Sequence, residues 1–483
     1  MGLKSKAIGG VVWSTVQKYS IMLINFVSDI ILARLLTPYD YGCIGMLTIF
    51  MILAETFINS GFGSALIQKK RPTQEDYSTV FYWNLGMSLV LYAILFFCAP
   101  VIAEFYKIPL LSSVLRVQGL ILFAYALNIV QFNQLKKKLD FKVISIVTII
   151  SSIVSLTITI FMAYNGFGVW SLVAKNLISA IVTSIIFWFY VKWRPIWFFS
   201  WKSFRELFGF GFYMFLTHIV TNISSQVQGL LIGRVYSAST MGYYSKASGT
   251  EGMATRSIYQ VLTQVTFPLY AELQDDKNAM RNAVKKITMC LSYLTFPLLF
   301  VLMVVAEPLF VFLYSEKWLP SVPYFQILCI AGLAHCLQAV TMQTITAIGK
   351  SKVTFVWTLV KRTLGICLIV GGGCVWGMKG ILLGVVLNNW FAYFVNMGLV
   401  SQYIGYKWYS QLKDLMPVFV ASSVVAILIF LLGYLLHLNM YIEGVVMFCA
   451  YVGLYLAWSL LFNPEAYLIF KNLLSEMFTK VKK

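Results

Sequence analysis

The sequence predicts an all-α integral membrane protein of about fourteen transmembrane helices, built as two six-helix lobes related by a pseudo-two-fold along the membrane normal, with two helices appended. Three observations predict it: the composition, the length of the apolar runs and an internal repeat. Of 483 residues, 59% are hydrophobic and 11% charged, against roughly 25% charged in a soluble domain. A mean hydropathy of +0.79 spreads this character along the whole chain. The formal charge of +19 would suggest nucleic acid on a soluble protein. Here the basic residues sit in short clusters between apolar runs, as in cytoplasmic loops, and no nucleic acid is expected.

A span needs about 20 apolar residues to cross roughly 30 Å of hydrocarbon. Such runs lie near 12–36, 42–66, 79–103, 110–133, 143–163, 168–191, 208–235, 240–270, 284–306, 320–348, 353–374, 377–403, 415–437 and 441–462. The run after MGLKSKAIGG is too long for a signal peptide and lacks a small-residue cleavage site, so it reads as the first helix. Segment 240–270 is the most polar, carrying Lys246, Glu251 and Arg256, as a helix lining a wet cavity should be. Loops are short, the longest outer one lying near 307–319, and no soluble domain is expected. The stretch KWRPIWFFSWKSFREL alternates aromatic and basic residues, which suits an interfacial helix anchored among headgroups. These readings give an N-lobe over 1–191, a cytoplasmic interfacial linker over 192–207, a C-lobe over 208–403, and helices 13 and 14 with a cytoplasmic tail over 404–483. The eight cysteines form no CxxC pair and read as helix-packing residues, with no metal or disulfide expected.

Loop charge orients the chain, because Lys and Arg accumulate in short cytoplasmic loops. With the N-terminus inside, 25 cations fall in inner segments, whereas the outer loops hold Lys107, Lys317 and Lys379. Both termini are expected in the cytoplasm.

The repeat is the sharper signal. An offset of 200 lays IILARLLTPYDYG (30–42) on LLIGRVYSASTMG (230–242), pairing Arg34 with Arg234 and Gly42 with Gly242. Offsets of 210 and 212 pair FAYALNIV with LAHCLQAV, Gly168 with Gly380 and Asn176 with Asn388. Six helices per copy is an even number, so both copies start inside, which is a transporter plan.

Nine cations remain within the spans: Lys18, Arg34, Arg116, Lys175, Arg234, Lys246, Arg256, Lys361 and Arg362. Arg34, Arg234 and Lys246 sit near outer helix ends, where a long side chain snorkels to water. The others lie deeper, where a charge costs roughly 2.5–3.5 kcal/mol; Lys361, for example, is about 13 Å beyond Lys352 at the helical rise. Lys18, Arg116, Lys175, Arg256, Lys361 and Arg362 are therefore the candidate substrate-binding residues. Polar stripes supply the rest. Lys18, Asn25 and Asp29 share a face of helix 1, Glu55 lies on helix 2, His218 and Asn222 share a face of helix 7, and Glu251 lies on helix 8. Asn25, Asp29, Glu55, His218, Asn222 and Glu251 are the candidate cavity and coupling residues. His218, the repeat mate of Lys18, reads either as a titratable cation or as a neutral hydrogen-bonding group. Cations outnumber the acids, which implies an anionic cargo such as a phosphate or pyrophosphate; pairing of Asp29, Glu55 and Glu251 with them as structural salt bridges is the alternative.

The motifs RLLTPYDYG (34–42), SGFGSALIQKK (60–70), APVIAEFY (99–106), QLKKKLDFK (134–142), LIGRVYSASTMGYYSKA (231–247), TFPLYAELQDD (266–276) and LYSEKWLPS (313–321) resemble the Wzx/WzxC-type polysaccharide flippases of the multidrug/oligosaccharidyl-lipid/polysaccharide exporter superfamily. The resemblance runs from helix 1 to about helix 12 and implies a bacterial inner-membrane protein. It further implies export of undecaprenyl-diphosphate-linked oligosaccharide by alternating access, with membrane lipids, a coupling H+ or Na+ and polysaccharide assembly proteins as partners, and with no cofactor. A multidrug antiporter of the same superfamily would want acids to dominate its cavity. A membrane polysaccharide polymerase or glycosyltransferase would need a catalytic constellation, and the sequence has no HExxH and no Gly-rich phosphate loop.

Overall fold

The computed structural model describes the backbone of residues 3–59, 62–436 and 439–481, with side chains except at 3–8, 11, 59, 64, 207–218, 256–257, 260–265, 351, 436, 473–474 and 476–481. All regular structure among these residues is helical. In chain order the helices are α1 (Leu3–Leu35), α2 (Pro38–Asn59), α3 (Phe62–Gln68), α4 (Gln74–Tyr106), α5 (Leu110–Gly119), α6 (Ile121–Lys137), α7 (Phe141–Tyr164), α8 (Val169–Tyr190) and α9 (Trp201–Val235). There follow α10 (Ala238–Glu272), α11 (Lys277–Val304), α12 (Ala306–Tyr314), a 3-10 turn (Glu316–Ser321), α13 (Val322–Ala347), α14 (Ser351–Ile404), α15 (Trp408–Leu436), α16 (Met440–Phe462) and α17 (Glu465–Val481). Eleven stretches of the described residues are helices long and apolar enough to cross a membrane. One of them runs from Lys352 to Ile404, but Trp376 and Gly377 leave helical geometry inside it, Gly377 at φ 60°. Glycine accepts that left-handed φ without a Cβ penalty, so the stretch holds two spans. With α9 and α10 the architecture is compatible with fourteen crossings, and the polar segment 240–270 is continuous helix.

Two local expectations are corrected, and the tail gains a helix. The first part of the linker is not helical, and its end from Trp201 is the start of α9. Residues 191–200 are non-helical, because Pro195 has no N–H and pushes Arg194 out of the helical region. This segment is fastened to the start of α4: Ile196 N donates to Ser78 Oγ and Ser200 N to Thr79 Oγ1, both at 3.0 Å, while Trp193 Nε1 donates to Gln74 Oε1 at 2.6 Å. Trp197 remains 96% exposed, as an aromatic anchor at a headgroup layer would be. The outer segment 307–319 is not an open loop but α12 and the 3-10 turn. The C-terminal tail carries α17, which meets α11 through the Lys285–Glu465 ion pair at 2.9 Å and ring contacts of Tyr293 with Tyr467 and Phe470.

Packing divides the chain into two units, Met1–Gly242 and Tyr243–Lys483. In the first, α1 packs on α7, α7 on α8, α4 on α5 and α6, and α2 on α9. A methyl added at Gly42 would overlap the carbonyl of Ala238, and one at Gly242 would overlap that of Pro38. Pro38 and Ala238 are themselves mates at the 200-residue offset. The contact is thus reciprocal, as a pseudo-two-fold requires, and small residues let the backbones meet. Near the linker, Lys69 bridges Asp76 at 3.1 Å and Glu206 at 3.0 Å. Burial pulls the Lys69 ammonium down, but the bonds and charges of Glu206 and Asp76 outweigh it and hold its pKa above the ordinary lysine value.

The carbonyls freed by two prolines inside helices are met by neighbouring helices. Pro100 inside α4 cannot donate to the carbonyl four residues earlier, which is that of Phe96. Arg116 Nε from α5 donates to Phe96 O at 3.3 Å, and its guanidinium lies 4.2 Å from the Phe96 ring centre. In the second unit, Pro297 inside α11 frees the Tyr293 carbonyl, and Tyr455 of α16 donates its hydroxyl to it at 3.4 Å. That unit also corrects the snorkelling expectation for Lys246. The residue is 3% exposed, with its ammonium 4.4 Å from the Tyr314 ring and 5.0 Å from that of Trp318. Arg34 and Arg234 do lie exposed in the last turns of α1 and α9.

Two outcomes follow from this packing. Arg116→Ala should destabilise the detergent-solubilised protein by about 1–3 kcal/mol, since it orphans a carbonyl. In a Pro100→Ala background, where the helix bond is restored, the same change should cost far less; thermal melts of the double-mutant cycle that show simple additivity would refute the link. Gly42→Ala should cost about 1–3 kcal/mol through overpacking. Gly453→Ala, where nothing lies within 4 Å of the added carbon, should leave the melting temperature near wild type.

Candidate functional site

The polar side chains carried by apolar helices are the groups with which a membrane protein binds a hydrophilic cargo, because each is expensive to leave in lipid. In the first unit, Asp29 of α1 accepts from the Tyr41 hydroxyl at 3.5 Å and lies within electrostatic reach of Lys175 on α8. Lys18 is half-buried on α1 and Asn25 is exposed. Glu55, half-buried on α2, stands near the Tyr125 phenol of α6. One helical step on, Thr56 Oγ1 accepts from Asn222 Nδ2 of α9 at 2.8 Å, joining helices 2 and 7 of the predicted order.

In the second unit, Lys361 is 8% exposed. Its ammonium donates to Asn396 Oδ1 at 2.7 Å and approaches Met342 Sδ at 3.8 Å. Asn396 in turn donates to Gln338 O and Thr341 Oγ1, each at 3.4 Å, so this lysine ties both halves of α14 to α13. Arg362 beside it is half-buried. Glu251 of α10 accepts from Thr255 Oγ1 at 3.1 Å and faces Gly332 of α13, where a methyl would fall 2.5 Å from its Oε1. The side chains of His218 and Arg256 lie outside the described residues.

The structure therefore places Asp29 within electrostatic reach of Lys175, links Asn222 to helix 2, and engages Arg116 and Lys361 in helix packing. It also shows polar residues that the reading of charges missed. A cavity of about 260 Å³ opens between α6, α7 and α8, lined by Tyr125, Asn128, Thr148, Asn176, Ser179 and Thr183, with Phe132 and Phe187 as apolar walls. Asn176, Ser179 and Thr183 fall at i, i+3 and i+7 on α8, and Tyr125, Asn128 and Phe132 do the same on α6. That spacing puts each set on one helix face, a signal present in the sequence. Asn128 Nδ2 donates to Ser184 Oγ at 3.0 Å, and Gln17 of α1 donates to Thr148 Oγ1 at 3.0 Å. Among the described residues, the side chains of Asn176, Ser179 and Thr183 make no hydrogen bond within the protein. A larger groove of about 880 Å³ runs between α11, α15, α16 and α17, but apart from Lys413, Asp414 and Glu465 its lining is almost wholly apolar.

Comparison with known proteins agrees with this architecture. A family described as "Polysaccharide biosynthesis protein" matches residues 31–323. The lipopolysaccharide biosynthesis protein WzxC of Escherichia coli is 24% identical over 443 residues, covering 90% of this chain and 89% of its own length. The succinoglycan biosynthesis transport protein ExoT of Rhizobium meliloti is 26% identical over 352 residues, 72% of this chain and 71% of its own. Among solved structures, the lipid II flippase MurJ in an inward closed conformation shares the fold, with a TM-score of 0.74 at 16% identity over 94% of this chain and 98% of that one. Since the family match spans more than half of the chain, this helical membrane protein belongs to the polysaccharide biosynthesis protein family.

Proposed function

We propose that the chain is a transporter, not an enzyme, that moves undecaprenyl-diphosphate-linked oligosaccharide from the cytoplasmic to the periplasmic leaflet of a bacterial inner membrane by alternating access. The observation that carries this reading is that a member of the polysaccharide biosynthesis family has the fold of a lipid II flippase. The names of its relatives and the excess of intramembrane cations over acids support it. The organisation is the proposed one of two six-helix lobes over 1–191 and 208–403, the linker 192–207 between them, and an appendage from 404 onward. Both termini face the cytoplasm, as the 25 inner and three outer loop cations suggest.

Lys18, Lys175, Arg256 and Arg362 serve the diphosphate, since charge-assisted bonds to phosphate are strong and Arg offers a bidentate fork. Arg116 and Lys361 support them by holding helices in place. Asn25, Asp29, Glu55, His218, Asn222 and Glu251 line the path, and H+ or Na+ drives the cycle through the titratable ones. Polysaccharide assembly proteins receive the cargo outside.

Two measurements test this. Reporter fusions after Lys107 and Lys379 should read the outer side and fusions after Lys70 and Lys350 the cytoplasm; a reversed assignment at any one of them refutes the orientation. Lys18→Gln and Arg256→Ala should each weaken capture of the lipid-linked substrate roughly 10- to 100-fold, as expected for one charged hydrogen bond, with protein level in the membrane unchanged. Normal surface polysaccharide in the double variant would defeat the anion-site reading.

A further inference from the structure

The geometry points to the cavity between α6, α7 and α8 as a neutral sugar subsite, which receives one ring of the glycan that the proposed function assigns to this chain. The inference rests on that reading and adds a place for the part of the cargo that cations cannot recognise.

Its chemistry decides the ligand class. Asn128 and Asn176 offer amide donors and acceptors, and Thr148, Ser179, Thr183 and Tyr125 offer hydroxyls. No Lys, Arg, Asp or Glu is among the lining residues, so the lining offers hydrogen bonds and not the ion pairs that a bare phosphate or a metal ion would want. A purely apolar tail would strand the amides and hydroxyls without partners, at a cost of desolvation. A polyol matches both features: its hydroxyls exchange hydrogen bonds with the polar stripe, and its C–H faces rest against Tyr125, Phe132 and Phe187. The volume of about 260 Å³ equals eight or nine waters at roughly 30 Å³ each, which suits a single ring.

The site is also poised for use. Asn176, Ser179 and Thr183 make no hydrogen bond inside the protein among the described residues, although serine and threonine in helices have the carbonyl four residues back within reach. Asn176 is exposed at the mouth. The walls, by contrast, are fixed, with Asn128 held by Ser184 and Thr148 by Gln17. A fixed wall with an unspent polar stripe is the arrangement that rejects a ligand lacking the matching hydroxyls. Gln17 is the neighbour of Lys18 on α1, so the sugar subsite adjoins the helix that carries a proposed diphosphate anchor.

The test uses the full-length chain in lipid nanodiscs and two probes. One is lipid-linked oligosaccharide extracted from the encoding bacterium after depletion of the protein; the other is undecaprenyl diphosphate. Wild type should bind the glycosylated lipid at least tenfold more tightly than undecaprenyl diphosphate. Asn176→Leu and Thr183→Val should each erase most of that preference while leaving the affinity for undecaprenyl diphosphate within about twofold, on the scale of one or two lost hydrogen bonds. Thr183→Val exchanges only a hydroxyl for a methyl and keeps the test open if Asn176→Leu does not fold. Equal binding of both probes by wild type, or full preference in folded variants, overturns the subsite and leaves the proposed function standing. Failure of wild type to bind either probe overturns the proposed function itself.

Discussion

Everything in this structure depends on the rule that hydrocarbon satisfies no polar group, so each backbone carbonyl and each charge inside the membrane must find its partner within the protein. Pro100 and Pro297, inside α4 and α11, show the rule at work. Each proline frees the carbonyl four residues earlier, and in both units a side chain from a neighbouring helix reaches it: Arg116 for Phe96 and Tyr455 for Tyr293. A charged residue and a phenol do the same task, which means that a charge in a span is not by itself a sign of cargo. The aromatic walls around Lys246 make the same point, since the ring faces of Tyr314 and Trp318 replace water around an ammonium that is 3% exposed.

The internal repeat has a physical signature at Gly42 and Gly242. Each glycine meets the carbonyl of the residue that precedes the other by four, so one seam is made twice from equivalent positions. At Gly42 and Gly242 the backbone contact leaves no room for a side chain, which is why glycine stands at both mates.

Sequence made the fold readable because length and hydrophobicity largely determine where a helix can span, and most of the apolar runs overlap helices, including the polar α10, although run 42–66 is broken into α2 and α3 and run 110–133 into α5 and α6. The linker was less readable. Its aromatic and basic alternation suited an amphipathic helix, but one proline and hydrogen bonds to α4 from 120 or so residues away keep residues 191–200 out of a helix. The candidate site was partly readable for a similar reason. Charge is visible in sequence, but the partner beside it is not: Lys361 donates to Asn396, and only the fold brings those two residues together. The neutral cavity went unread because attention to charge passes over Asn, Ser and Thr, though their i, i+3, i+7 spacing was there.

On the proposed reading, these two kinds of intramembrane polar group suit two parts of one amphipathic cargo. A diphosphate linker has the same charge whatever sugar follows, and a few cations suffice to hold it. Charge therefore supplies affinity but cannot tell one glycan from another, since a Coulomb interaction depends on little beyond distance. Discrimination requires directional neutral groups whose unmet hydrogen bonds penalise the wrong ring. On the proposed reading, proteins of this kind can exchange the glycan they carry by altering a few Asn, Ser and Thr positions on α6 and α8, without touching the cations or the helix contacts that hold the fold.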